Sequence, residues 1–94
     1  AQMRQRVAAL VAERERLGSG LAALGVQVWP SDANFLLFRP PGHRGRRVWE
    51  ALLERSVLVR DLSSWTGLEG CLRVTVGSPE ENDAFLAALA EVLG

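Results

Sequence analysis

Apolar residues recur at Val7, Leu10, Val11, Leu17, Leu21 and Leu24, near helical spacing, while Arg4, Arg6, Glu13, Glu15 and Arg16 take the other faces. The spacing predicts a helix over residues 2–24. Gly18-Ser19-Gly20 interrupts it at about 1 kcal/mol per internal glycine, which allows a kink or short break. Gly25 is placed to cap it, because glycine takes the left-handed conformation cheaply. Val26-Gln27-Val28-Trp29 then alternates as a short strand and stops at Pro30. Residues 33–39 are apolar nearly throughout, the pattern of a strand covered on both faces. After the turn Pro40-Pro41-Gly42, a helix is predicted over residues 44–55, with Val48, Trp49, Leu52 and Leu53 as its buried stripe. Val57-Leu58-Val59-Arg60 reads as a strand, residues 61–70 as an irregular loop, and Leu72-Arg73-Val74-Thr75-Val76 as the clearest alternating strand. Ser78-Pro79-Glu80-Glu81 supplies an N-cap, a proline at the first helical position and an acid at the third, and so opens a last helix with a capping box. Phe85, Leu86, Leu89, Val92 and Leu93 form its apolar face.

The order is therefore α-β-β-α-β-β-α. It predicts one α+β domain over residues 1–94, with a small mixed or antiparallel sheet covered by helices on one face. The 94 residues suffice for one small domain, and 48% of them are apolar, enough for a packed core. The 11 acidic residues match the 11 basic ones, which argues against nucleic acid or an anionic membrane as the main partner. The apolar runs are too short to cross a membrane, and the start lacks the long apolar stretch of a signal peptide. The chain begins at Ala1, which fits a piece cut from a longer protein.

Every one of the 11 basic residues is Arg, and the chain has no Lys and no Tyr. Schiff-base chemistry needs a lysine amine, so this chain cannot perform it by itself. Cys71 is alone, which excludes an intrachain disulfide and a two-cysteine metal site and fits a reducing, cytoplasmic setting. It reads as a small core residue; a pairing with His43 has no support in the spacing. His43 with Arg44, Arg46 and Arg47 reads as a solvated loop and helix start. Trp29 and Trp49 read as core, and Trp65 as a loop anchor.

On the strand 72–76, Leu72, Val74 and Val76 point one way, so Arg73 and Thr75 point the other. A guanidinium fixed there can grip a carboxylate or phosphate through two parallel hydrogen bonds, unless it is simply a solvated strand arginine. Arg60 opens a ten-residue loop of a length that is often functional; the alternative is a local ion pair with Asp61. Ser31, Asp32 and Asn34 precede a strand, where polar side chains bind ligands or simply form turns.

Three stretches carry a resemblance. They are Leu24-Gly25-Val26-Gln27-Val28-Trp29-Pro30-Ser31-Asp32-Ala33-Asn34-Phe35-Leu36-Leu37-Phe38, then Val57-Leu58-Val59-Arg60-Asp61, then the run from Gly67-Leu68-Glu69-Gly70-Cys71-Leu72-Arg73-Val74-Thr75-Val76-Gly77 to Ser78-Pro79-Glu80-Glu81-Asn82. In this order and spacing they resemble the C-terminal small domain of histidinol-phosphate aminotransferases, which are fold-type I pyridoxal-phosphate enzymes. The resemblance implies that Arg73 receives the substrate carboxylate, or the phosphate of histidinol phosphate. It implies that Arg60 is a second arginine near that anion, and that Asn34 sits where the small domain approaches the substrate. It also implies a ping-pong exchange between glutamate and imidazole acetol phosphate, in a homodimer whose large domain holds pyridoxal phosphate and the catalytic lysine. No catalytic, cofactor-binding or metal-binding residue of the family falls within these 94 positions, so the chain is expected to be inactive alone.

Two other readings compete. Within the superfamily, the substrate could belong to an aromatic amino-acid aminotransferase or a threonine-phosphate decarboxylase. Outside it, a free-standing amino-acid-binding regulatory module of ferredoxin-like type would run β-α-β-β-α-β, without the leading helix.

Overall fold

The computed structural model describes residues 2–94; the side chains of residues 2–6 and of His43, and with them the expectations for Arg4, Arg6 and the His43 cluster, lie outside the described part. Helix α1 spans Gln2–Ala23, strand β1 Gln27–Trp29, strand β2 Phe35–Arg39, helix α2 Gly45–Glu54, strand β3 Arg60–Asp61, strand β4 Leu72–Thr75 and helix α3 Pro79–Leu93. The strands form one antiparallel sheet in the order β1-β2-β4-β3, so the expected α+β architecture is present.

Alternation along the strands decides which side of the sheet is covered. Val28 pairs with Phe38, Phe38 with Leu72, and Leu36 with Val74, which places these side chains on one face. They form the core with Leu17 and Leu21 of α1, Val48 and Leu52 of α2, and Phe85 and Leu89 of α3. Phe38 meets Phe85 edge to face at 5.7 Å between ring centroids. All three helices therefore lie on one side, and the other face of the sheet is open. β2 was expected to be covered on both faces. Instead Leu36 and Phe38 are buried, while Phe35, Leu37 and Arg39 on the open face are only half-buried.

Helix α1 runs through Gly18-Ser19-Gly20 without a break, which decides between the continuous helix and the kink or short break that the glycines allow. Gly20 faces α3: a Cβ at this position would stand 2.7 Å from Leu86 Cδ1, so the Leu86 side chain occupies the space beside the glycine. The helix ends as expected at Gly25 (φ 82°), with Gly25 N–H donating to Ala22 O and Val26 N–H to Leu21 O. The capping box of α3 also forms: Glu81 N–H donates to Ser78 Oγ at 3.2 Å, and Ser78 N–H to Glu81 Oε1 at 2.9 Å.

Three further expectations are corrected. Leu53, assigned to the buried stripe of α2, is exposed, as are Val7 and Leu10 of α1. β3 is only two residues long: ahead of it Trp49 Nε1 donates to the Val59 carbonyl at 3.0 Å, and Leu58 is 79% exposed. Trp29 belongs to the open face and not to the core.

Asn82 fastens the helix layer together. It is 2% exposed, its Oδ1 accepts from Gly77 N–H at 2.9 Å, and its Nδ2 donates to Gly77 O at 3.0 Å and to Glu13 Oε1 at 2.9 Å. Glu13 also takes both Arg16 Nε and Nη2, and Arg16 Nη1 reaches Asp83 at 2.7 Å. The Arg16 guanidinium and the Asn82 amide hold the Glu13 carboxyl down at about 2. No helix among the described residues is long and apolar enough to cross a membrane.

Candidate functional site

The open face carries a row of paired residues across all four strands. Trp29 of β1 stands opposite Leu37 of β2, Leu37 opposite Arg73 of β4, and Arg73 opposite Arg60 of β3. The sequence puts them there because β4 buries Leu72 and Val74, which forces Arg73 outward. Directly opposed residues of an antiparallel pair lie about 4.5–5.5 Å apart at Cα, and like charges in that position repel. Even so, no carboxylate among the described residues forms an ion pair with Arg60 or Arg73.

The predicted alternative for Arg60, an ion pair with Asp61, is therefore excluded. The next residue along the strand points to the helix face, where Asp61 Oδ2 accepts from Arg46 Nη1 at 3.1 Å and Asp61 Oδ1 accepts from Ser63 N–H at 2.9 Å and from the Ser63 hydroxyl. Burial pushes the Asp61 carboxyl up, but Ser63 and Arg46 outweigh it and hold the group below its ordinary value.

Aromatic rings flank the arginines instead. The Arg73 guanidinium carbon lies 4.8 Å from the Phe35 ring centroid, Arg60 lies 5.9 Å from Trp65, and Arg39 lies 5.3 Å from Trp29. Arg39 also donates Nε to Glu69 O at 3.0 Å. Sequence reasoning passed over Arg39 and Phe35, although alternation along β2 assigns both to the face of Leu37; reading β2 as covered on both sides hid that signal. The loop between β3 and β4 is a chain of tight turns, closed at its base by Leu62 N–H to Cys71 O at 3.1 Å. Buried Leu62 anchors it, whereas Trp65, expected to do so, is 54% exposed.

Asn34 is not brought to the arginine row. It is exposed in the bend ahead of β2, and its carbonyl accepts from Val76 N–H at 2.8 Å. It lies three positions before Leu37, about 10 Å along a strand. Nearby Ser31 takes the turn role, its Oγ accepting from Ala33 N–H at 3.0 Å. Neither Arg60 nor Arg73 lines the two clefts of about 490 and 520 Å³ that lie beside α2 and α3. The row is thus an arginine-rich surface with no lysine amine among the 94 residues.

The family model for aminotransferase class I and II matches residues 1–89. The chain belongs to the class I and II aminotransferases. This aminotransferase chain is 50% identical over 88 residues to the histidinol-phosphate aminotransferase of Aquifex aeolicus, covering 93% of itself and 25% of that relative. Among solved structures, a putative aminotransferase from Burkholderia pseudomallei superposes with a TM-score of 0.82 at 38% identity, over 93% of this chain and 26% of that one. The histidinol-phosphate aminotransferase from Clostridium acetobutylicum gives a TM-score of 0.82 at 28% identity, over 89% and 26%. The aminotransferase chain thus spans about a quarter of the length of the relatives it matches. Its membership and its α-first order displace the reading as a ferredoxin-like regulatory module.

Proposed function

We propose that this chain is the substrate-anion-binding small domain of a longer pyridoxal-phosphate-dependent histidinol-phosphate aminotransferase. That enzyme exchanges an amino group between glutamate and imidazole acetol phosphate, giving 2-oxoglutarate and histidinol phosphate in histidine biosynthesis. The observation that carries the reading is the Arg60–Arg73 pair on the open sheet face, two arginines directly opposed in the sheet register and without a carboxylate partner among the described residues. Such a pair is costly unless an anion lies against it, and carboxylate and phosphate both match the planar fork of a guanidinium.

Arg73, held mid-strand, takes the substrate carboxylate in one half-reaction and the phosphate in the other, with Arg60 as the second cation. Fixing that anion orients the rest of the substrate toward groups that this chain lacks. The residues present do not fit pyridoxal phosphate: no lysine is available to condense with it. The cofactor and the catalytic lysine belong to a large domain outside these 94 residues, in a cytoplasmic homodimer, and the chain alone is inactive. Asn34 is assigned only to the rim where the two domains meet.

The test is transamination between glutamate and imidazole acetol phosphate by the whole enzyme, wild type against Arg73→Ala. Removing a two-point anion contact should cut kcat/KM by at least about a hundredfold. Equal activity of the two would return Arg73 to the role of a solvated strand residue. Activity on phosphothreonine or an aromatic amino acid, but not on this pair, would keep the anion site and replace the substrate.

A further inference from the structure

A guanidinium that must meet an incoming anion has to be oriented beforehand, and the usual holder is a carboxylate, which also neutralises it. Among the described residues Arg73 has no such holder. Its neighbour on one side, Leu37, cannot hydrogen-bond to it, and its neighbour on the other, Arg60, repels it. What remains is the Phe35 ring, 4.8 Å from the guanidinium carbon. Phe35 pairs with Thr75, so its ring lies diagonal to Arg73 on the same face, on the side away from Arg60. Repulsion from Arg60 and attraction by the ring therefore act in the same direction.

Stacking on an aromatic face leaves the N–H groups in the guanidinium plane free at their outer edge, where a carboxylate or phosphate oxygen pair can take two of them. Phe35 has little other work. It is half-buried on the open face and does not belong to the core formed under the helices. The same arrangement recurs nearby at Arg60 with Trp65 and at Arg39 with Trp29.

We propose that Phe35 is a positioning residue for Arg73: its ring fixes the guanidinium plane for two-point binding of the substrate anion without neutralising the charge. This rests on the reading of Arg73 given above, and the experiment separates the two. In the whole enzyme, kcat and KM for glutamate are measured for wild type, Phe35→Leu, Phe35→Tyr and Arg73→Ala, with the melting temperature of each. Phe35→Leu keeps an apolar side chain but removes the ring face. It should raise KM about three- to tenfold, with kcat and melting temperature nearly unchanged. Phe35→Tyr, which restores the ring, should recover most of that loss.

An unchanged KM in Phe35→Leu beside a crippled Arg73→Ala overturns this inference and leaves the anion site standing. Equal impairment of the Leu and Tyr variants, or a KM effect that follows loss of melting temperature, also overturns it by showing a packing role. An unaffected Arg73→Ala removes the parent reading and this inference with it.

Discussion

Replacing Asn82 tests whether the helix layer is held by the polar hub that the structure places in its interior. Asn82→Ala removes three hydrogen bonds of 2.9–3.0 Å and leaves Gly77 N–H and Gly77 O without the partner that satisfied both. An orphaned buried polar group costs about 1–3 kcal/mol. Gly77 is half-buried, so water recovers part of this, and Glu13 keeps Arg16. The net loss should be about 2–4 kcal/mol, a large share of the roughly 5–14 kcal/mol expected for a chain of this length. For a domain of this size that lowers the melting temperature by about 8–30 °C, read by circular dichroism on the 94-residue chain. Asn82→Asp sharpens the test, because it exchanges the donating amide for a carboxylate facing Glu13 and the Gly77 carbonyl. The new carboxyl should have a folded pKa above its unfolded one, so the variant loses stability as pH rises through that value. Glu13 in the wild type behaves oppositely. Its folded pKa of about 2 lies below the ordinary 4.5, so its contribution is complete above 4.5 and fades as pH falls toward 2. The stability gap between Asn82→Asp and wild type should therefore narrow on acidification from pH 7 to pH 4. A melting temperature for Asn82→Ala within about 3 °C of wild type, or a gap for Asn82→Asp that widens on acidification, would refute the hub.

Two backbone positions give contrasting expectations. A Cβ on Gly45, at the buried start of α2, would stand 2.6 Å from the Gly70 carbonyl carbon and closer still to its oxygen. Because both sides are backbone, Gly45→Ala should cost about 2–4 kcal/mol, seen as a lower urea midpoint; a cost under about 0.5 kcal/mol would mean the approach is not as close as described. Ser56 follows α2 in the left-handed region (φ 60°), where Ser56 N–H donates to Leu53 O and Val57 N–H to Leu52 O. Ser56→Gly relieves that conformation and should raise stability by about 0.5–1 kcal/mol in the same urea titration; a fall would count against the capping assignment.

Local signals in the sequence determined most of the elements. Gly25 and Ser78-Pro79-Glu80-Glu81 act within one helical turn, so a cap written in four residues is the cap that forms. The alternation Leu72-Arg73-Val74-Thr75 is equally local, and it alone directs Arg73 away from the core. The absence of lysine from these 94 residues is likewise a fact of the sequence that does not depend on the fold.

Partners distant in the chain were decided only by the tertiary structure. The order β1-β2-β4-β3 brings Arg60 opposite Arg73, thirteen positions away, and turns Asp61 toward Arg46, which removes the ion pair that adjacency had suggested for Arg60. Leu53 has the hydrophobicity of a core residue, yet it stands exposed on α2, and hydrophobicity by itself does not specify a neighbour. Residues 57–59 have strand propensity throughout, but pairing with β4 begins only at Arg60, while the Val59 carbonyl accepts from the Trp49 indole. Phe35 and Asn82 show the same division. A single aromatic or amide carries no periodic signal, and each acquires its role from a group that only folding brings within about 3–5 Å: a guanidinium on the next strand for Phe35, and a carboxylate sixty-nine positions away for Asn82.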